Sequence, residues 1–545
     1  MNLFTAFFFA LVISMLLVPP LRRHAVWLGL MDAPDSRKVH VERIPRSGGL
    51  AIVIGALLPI AMWFPGDPLL RGLTVGGLII VLFGYLDDRF DLDFRIKFLG
   101  QTLAALAAMQ GGLLIDVWPF LGIDPVPNYV AWPVTFGFLL GITNAINFSD
   151  GLDGLAGGIS LVTLGAIAFI AYASGGQGVT LMAIAIMGGL CGFLRYNNYP
   201  ALIFMGDAGS QFLGFMTGGL AVVLTQHLDT ALNPALVLLL VGFPILDTLS
   251  VMFWRMRSGI SPFHADRNHF HHRLLDLGFR HYEAVATIYV IQGVMVMAAL
   301  PVRFESDYVV VGLYLLCAAV VVGFFRLTRV QGWALRRPLE PGESVERRNL
   351  WLRRVPWLPE VSARTVEFGV AGMMLLAGVA PISAGVPLAL LCLPAGVGLL
   401  ASLVLSGRWR RVVRRASLYV AGLVTVFVLQ AAITEGLVAE AALNGLALLV
   451  VGALVIAIRL TRRDRFTTTP LDVLILLFVV VALLVNEGGD PGLRQIDVDE
   501  AVARLAVLFY STELLLSKGN RYVNLLSAVA GVSMLVVGIR AAAGI

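Results

Sequence analysis

The sequence predicts an all-α fold, that of a polytopic helical membrane protein, and three observations predict it. Hydrophobic residues fill 58% of the 545 positions and charged residues only 14%, against about half and about a quarter in a soluble domain. The mean hydropathy is +0.85. The apolar residues also gather into runs long enough to cross a bilayer as helices, separated by short polar segments.

In chain order the first runs are Leu3–Pro20, Gly48–Trp63, Gly72–Leu86, Arg95–Leu114, Ala131–Ile146, Leu155–Ala171, Val179–Leu194, Ser210–Gln226, Ala235–Trp254, Ala284–Val302 and Val309–Phe325. They predict about eleven spans. The first run lacks a basic segment before it and a small-residue cleavage site after it, while Arg22 and Arg23 follow it. It reads as a retained helix with its N-terminus outside. Alternate loops then fall in the cytoplasm, and these carry Arg22, Arg23, Arg37, Lys38, Arg43, Arg46, Arg89, Arg195, Arg255, Arg257, Arg267, Arg273 and Arg280. The opposite loops hold little beyond Arg71 and Arg303, so charge bias and span counting give the same orientation. A basic, Pro-containing linker over 326–365 separates residues 1–325 from a second membrane region, 366–545. That region holds about seven further runs: Val370–Ile382, Val386–Leu405, Tyr419–Ile433, Leu443–Ile458, Leu471–Val485, Val502–Leu516 and Val523–Ile539. Glu367, Glu435 and Glu513 lie close to these runs and read as end-of-helix charges.

Charge and cysteine content narrow the function classes. The formal charge of +5 comes almost wholly from Arg and reads as positive-inside loops, with no nucleic-acid partner. Cys191, Cys317 and Cys392 all lie in apolar runs, which suggests neither a disulfide framework nor a zinc site. All eight His fall at or before His281, so the second region lacks the commonest acid/base residue.

The chemistry gathers around Asn144–Gly158, NAINFSDGLDGLAGG, between two apolar runs. This connector holds two Asn, two Asp and four Gly. Asn147, Asp150 and Asp153 are spaced by three and would share a face on a helical turn. Hard oxygen donors at a membrane mouth suit a metal ion or a charged substrate; a polar turn with Gly caps is the alternative. Four more clusters lie on the same side. DAPDSRKVHVERIPRSGG, Asp32–Gly49, is basic and ends in a Gly pair entering a helix. It could cradle phosphate or anchor to anionic lipid. GYLDDRFDLDFRIK places Asp87 beside Asp88 at the membrane edge, with Lys97 near the start of the next helix. Adjacent carboxylates repel unless a cation or proton sits between them, and Lys97 could return to the same mouth as a point charge for phosphate. FMGDAGS, Phe204–Ser210, sets Asp207 on a Gly turn opening a helix, where its carboxylate suits Mg²⁺ bridging phosphate oxygens; Asp207 or Ser210 could also serve as an N-cap. HADRNHFHHRLLDLG packs His264, Arg267, His269, His271, His272 and Arg273 into one loop. H-x-H-H without a fourth ligand is a poor zinc pattern, and donors to pyrophosphate or sugar fit its basic company better.

GYLDDRFDL, NAINFSDGLDGLAGG, FMGDAGS and DRNHFHHRL, in this order, together with RKVHVERIPRSGG, resemble the polyprenyl-phosphate N-acetylhexosamine-1-phosphate transferases. The branch they are most similar to is that of the bacterial undecaprenyl-phosphate N-acetylglucosaminyl-1-phosphate transferases, which start O-antigen, enterobacterial common antigen and teichoic-acid linkage units. The resemblance covers about residues 1–325 and stops at Arg326. It implies that Asp207 and Asn147 hold Mg²⁺, with Mn²⁺ as a substitute, and that Asp87 and Asp88 act near the lipid phosphate. It further implies that Lys97 binds pyrophosphate, that Asp150 and Asp153 shape the nucleotide site, and that His269, His271, His272 and Arg273 contact sugar and phosphates. Arg46 and Asn144 join the substrate-binding set.

The expected reaction is attack by the phosphate of undecaprenyl phosphate on a UDP-N-acetylhexosamine at the cytoplasmic face of the bacterial inner membrane, releasing UMP. Charge building on the transferred phosphoryl group calls for a divalent ion plus Lys and Arg. The expected partners are both substrates, the bilayer and a second copy in a homodimer. A UDP-MurNAc-pentapeptide phosphotransferase is the nearest alternative, disfavoured by HFHHRLL. A transporter or flippase is the alternative of another class, disfavoured for the first region because its polar clusters share one face; for the second region transport and partner docking are both open readings.

Overall fold

The computed structural model describes residues 3–32, 43–63, 66–120, 125–228, 231–261, 268–331, 357–380, 386–460 and 498–543. The chain divides into two compact units, whose described residues are 3–331 and 357–543. Among the described residues eleven helices are long and apolar enough to cross a membrane, twelve with one bent pair counted as a span. Most of the predicted first loop, the linker over 332–356, the run Leu471–Val485, and His264 and Arg267 lie outside the described residues.

The first unit runs α1 (Leu3–Leu28), β1 (Met31–Asp32), β2 (Ile44–Pro45), α2 (Gly48–Trp63), α3 (Pro68–Phe90), α4 (Phe94–Gln110), α5 (Asn128–Phe148), α6 (Leu155–Ala173), α7 (Gln177–Asn197) and α8 (Gly206–Val222). It continues with α9 (Val237–Leu240), α10 (Gly242–Arg257), α11 (Phe270–Asp276), α12 (His281–Ala299) and α13 (Asp307–Val330). α1 continues to Leu28 through Pro19 and Pro20, past the Pro20 limit read from hydropathy. α3 starts where Asp67 accepts the N–H of Leu69 at 2.9 Å and Pro68 supplies a preset φ. α8 is the central helix, its whole membrane-crossing stretch buried. It is extended by a π-helix, Val223–Leu228, whose Gln226 exchanges hydrogen bonds with the backbone of Val117 at 3.0 and 3.2 Å.

The run Ala235–Trp254, expected as a single span, is broken. Its limbs Pro234–Leu240 and Gly242–Arg257 meet at 80°. Pro244 has no N–H to give to Leu240, so the helix cannot continue and the Leu240 carbonyl is left open. Inside a membrane such a group must be satisfied by protein. Buried Gln292 does this, donating to Leu240 O at 2.7 Å and accepting from Phe243 N at 3.0 Å. Thr163 adds a second donor to Leu240 O at 2.9 Å.

The second unit comprises α14 (Leu358–Val379), α15 (Val386–Val404), α16 (Gly407–Thr434), α17 (Glu440–Leu460), α18 (Val498–Lys518) and α19 (Asn520–Ala543). Val370, Met374, Leu399, Val424, Leu526 and Met534 belong to its core. The acidic residues expected as simple end charges behave differently from one another. Glu435 is exposed, whereas Glu367 is fully buried and accepts from Arg364 at 2.7 Å. Glu513 forms a two-pronged pair with Arg415, one arm at 3.0 Å. Buried Arg504 donates to Gln430 and Asn444 at 2.6 and 2.9 Å.

Candidate active site

Four helix ends of the first unit meet at one level. The C-terminus of α3 brings Asp87, the first turn of α4 brings Lys97, the last turn of α5 brings Asn147, and the first turn of α8 brings Asp207. Lys97 Nζ lies 2.6 Å from Asp87 Oδ2 and 3.7 Å from Asp207 Oδ2. Asn147 donates through Nδ2 to Asp207 Oδ1 at 3.0 Å and to Ser210 Oγ at 2.7 Å. Asp87 Oδ1 also accepts the N–H of Leu92 at 2.9 Å, which fixes the turn joining α3 to α4.

Asp88 has a different job from its neighbour. Its Oδ1 accepts the N–H of Asp207 at 2.9 Å and its Oδ2 that of Ala208 at 3.1 Å. The carboxylate therefore caps α8 from another helix, in place of Asp207 or Ser210. Gly206 makes this possible. Its φ is +68°, and a Cβ there would run into the Asp88 carboxylate. Gly84, one turn before Asp88, lets α3 come equally near: a Cβ would stand 2.6 Å from Ala208 Cα.

One turn deeper lies a second set of polar residues. Gln101 Nε2 donates to Asn144 Oδ1 and to Gln211 Oε1, each at 3.1 Å, and Asn144 Nδ2 returns a bond to Gln101 Oε1 at 2.9 Å. These three amides follow or precede Lys97, Asp207 and Asn147 by one helical turn. Asn144, expected to bind substrate, is engaged here and does not line the cavity described next.

A cavity of about 620 Å³ opens beside this cluster and is lined by Asp88, Asn147, Asp150, Asp153, Asp207, Arg46 and His272 from the predicted set. Arg22, Arg43, Tyr199 and His281 line it too and were not singled out by the sequence. Ser149–Gly154 forms turns between α5 and α6, so Asp150 and Asp153 do not share a helical face with Asn147. Asp153 accepts the N–H of Ala201 at 2.9 Å and donates its own N–H to His281 at 3.2 Å, tying two loops together. Burial, helped by the charges of Asp207 and Asp153, pushes the Asp150 carboxyl up to about 7. Arg46 is held by an ion pair with Asp32 across the β1–β2 hairpin. The chain after the hairpin is laced to the Asp207 turn: Phe204 N donates to Pro45 O at 2.7 Å, Gly48 N to Phe204 O at 2.9 Å and Gly49 N to Met205 O at 2.9 Å.

The His-rich segment divides its labour. His272 faces the cavity. Buried His271 packs against Gly151, and its Nε2 has no hydrogen-bond partner among the described residues. Burial, then the neighbouring His272, lowers its pKa to about 3. His269 is engaged with Asp247 at 2.8 Å, and Arg273 lies over the Phe270 ring at 5.5 Å. Neither His269 nor Arg273 lines the cavity. Sequence reading missed Asp247, although an acidic residue inside an apolar run is a signal in itself.

Asp207 and Asn147 bring a carboxylate and a carboxamide together beside a lysine ammonium, a hard-oxygen set that fits a small divalent cation. Among the described residues no group of three or more His, Cys, Asp and Glu is arranged to hold a metal ion. An ion here would draw its other ligands from phosphate and water, as magnesium commonly does.

The sequence profile of glycosyl transferase family 4 matches residues 70–225, a range that holds Asp87 through Asp207 and ends before the His segment. The chain is 35% identical over 301 residues to a probable undecaprenyl-phosphate N-acetylglucosaminyl 1-phosphate transferase of Bacillus subtilis (strain 168), covering 55% of this chain and 84% of the relative. It is 30% identical to an undecaprenyl-phosphate alpha-N-acetylglucosaminyl 1-phosphate transferase of Yersinia pestis, over 57% of this chain and 88% of the relative. It is 34% identical to a decaprenyl-phosphate N-acetylglucosaminephosphotransferase of Mycolicibacterium smegmatis, over 54% and 82%.

Proposed function

Because the chain belongs to the polyprenyl-phosphate N-acetylhexosamine-1-phosphate transferases, we propose that it moves N-acetylglucosamine 1-phosphate from UDP-N-acetylglucosamine to undecaprenyl phosphate. An oxygen of the lipid phosphate attacks the β-phosphorus of the nucleotide sugar. The bond between the two phosphates of the nucleotide breaks, UMP leaves with the electron pair, and undecaprenyl-pyrophosphoryl-N-acetylglucosamine stays in the bilayer. The observation that carries this reading is the meeting of Asp87, Lys97, Asn147 and Asp207 at one level of helix ends, beside a cavity rimmed by Arg22, Arg43 and Arg46.

Lys97 is placed to hold a non-bridging phosphate oxygen while the paired Asp87 fixes its ammonium. Arg46, steadied by Asp32, lines the cavity and would meet the phosphates there. His272 and Asp150 face the cavity where nucleotide and sugar would lie. Asp207 and Asn147 would hold Mg²⁺, which when bound neutralises charge on the phosphate oxygens. Positioning supplies much of the remaining rate. The Arg-rich loops beside the site support a cytoplasmic active site in the inner membrane, with the N-terminus periplasmic.

The test is incubation of the purified protein in detergent with undecaprenyl phosphate, Mg²⁺ and a mixture of UDP-sugars. Mass spectrometry should find undecaprenyl-pyrophosphoryl-N-acetylglucosamine with equimolar UMP. A lipid carrying a different sugar would overturn the substrate, and no lipid product at all would overturn the reaction.

A further inference from the structure

Asp247 lies on α10, five residues beyond the break in the span, and only 2% of its surface is exposed. A carboxylate at such a place is costly unless its oxygens are used. Both are. Oδ2 meets His269 Nδ1 at 2.8 Å, and Oδ1 accepts the N–H of Phe270 at 2.8 Å. The two bonds seize the first residues of the short helix α11, which carries His271 and His272. From there the contacts run ring to ring: His269 stacks on His271 with centroids 5.8 Å apart, and His271 lies 4.2 Å from His272, whose side chain meets the cavity. Phe270, the residue between the two anchored atoms and the His pair, is locked on its other side by Phe325 at 4.7 Å.

We infer that Asp247 is a positioning residue for the proposed transfer, acting through His269 to set the His271–His272 pair against the nucleotide-sugar side of the cavity. The Asp247 carboxylate accepts a proton-bearing Nδ1 from His269 and so fixes that ring's tautomer and rotation. The same carboxylate pins the backbone of α11. Breaking the contact lets the His pair drift from the cavity; the His269 ring also packs on Phe148 at 5.9 Å, so Asp247→Asn, which keeps that ring, is the variant that separates the His pair from α5. The kinetic half of this inference rests on the transferase reading; the hydrogen-bond half does not.

The experiment compares Asp247→Asn, Asp247→Ala and His269→Ala with wild type in detergent. Asp247→Asn keeps an oxygen for the Phe270 N–H, so it isolates the His269 contact if Asp247→Ala fails to fold. The expected result is a KM for the nucleotide sugar raised about 10-fold with the KM for undecaprenyl phosphate within about 2-fold of wild type. Asp247→Asn combined with His269→Ala should be no worse than His269→Ala alone, since the two act as a unit. In ¹⁵N-histidine spectra, the His269 resonance, identified by its loss in His269→Ala, should show a protonated Nδ1 in wild type and move in Asp247→Asn. Additive losses, an equal rise in both KM values, or an unmoved His269 resonance would overturn the role. A wild-type protein that makes no lipid product but shows the expected His269 shift would overturn the transferase reading and keep the anchor.

Discussion

Asp88 and Ala208, 120 residues apart, are joined by a hydrogen bond of 3.1 Å from the Ala208 N–H to Asp88 Oδ2, beside the 2.9 Å bond from the Asp207 N–H to Oδ1. A carboxylate that caps the helix bearing the proposed metal residue couples α3 to the turn that opens α8. Asp88→Asn keeps one acceptor but faces the other N–H with an amide donor. Turnover should fall at least about 10-fold, and stability should drop by about 1–2 kcal/mol. UMP release and thermal unfolding in detergent check this together. Lost turnover with an unchanged melting temperature would mean that Asp88 acts on substrate and not as a cap.

Asp207→Asn removes the carboxylate shared by Lys97 and Asn147. Turnover should fall about 100-fold or more, while the protein still inserts and purifies as a single species. Mg²⁺ should raise the melting temperature of wild type and not that of the variant. Near wild-type UMP release with Mg²⁺ present would remove Asp207 from the metal set.

The amide set beneath the site gives a sharper test of positioning. Gln101→Met keeps length and loses both partners, leaving Asn144 and Gln211 short of bonds in a buried place. The expected cost is about 1–3 kcal/mol, with kcat lowered and both KM values held. Asn144→Leu should behave alike, and the pair of changes together should cost less than their sum. A rise in the nucleotide-sugar KM for Asn144→Leu with unchanged stability would return Asn144 to the substrate contacts.

Asp150 supplies the pH prediction. Burial and two neighbouring carboxylates raise its carboxyl from 3.8 to about 7. The folded protein therefore holds this proton more tightly than the unfolded chain. The stabilising contribution is complete below pH 3.8 and is lost as pH rises through about 7. Asp150→Asn stays neutral throughout, so its melting temperature should gain on wild type between pH 5 and 7 by about 2–4 °C or more, then run parallel. Melting curves in detergent without nucleotide or metal decide it, and a constant offset would contradict the shift.

The helical membrane fold is visible in the sequence, and the polar segments at its helix ends stand out, because hydropathy, charge bias and misplaced Asp, Asn and His residues are local signals. Asp207, Asn147, Lys97 and Asp87 stood out since polar residues at a membrane edge are costly. What stayed hidden was pairing. Nothing near Asp88 says that its oxygens serve Asp207 and Ala208, and nothing near Gln101 points to Asn144 or Gln211, 43 and 110 residues on. The His segment shows the same limit: His269 and Arg273 look equivalent to His272 in one dimension, yet only His272 lines the cavity, while His269 meets Asp247 and Arg273 lies over Phe270. The broken span was within reach, because Pro244 sits where a continuous helix needs an N–H for Leu240. Gln292, which repairs that gap, carries no local mark of its purpose.

The hydrogen bonds from Phe204, Gly48 and Gly49 to Pro45, Phe204 and Met205 respectively tie the hairpin side of the cavity to the Asp207 turn. Opening that side would break the backbone bonds that hold the turn before α8. Entry is therefore expected on the other side, where Tyr199, in the loop after α7, stacks at 4.3 Å on His281 at the start of α12. Chemical cross-links that staple the 45–49 segment to 204–205 should therefore leave turnover intact, whereas the same staple between Tyr199 and the start of α12 should stop it.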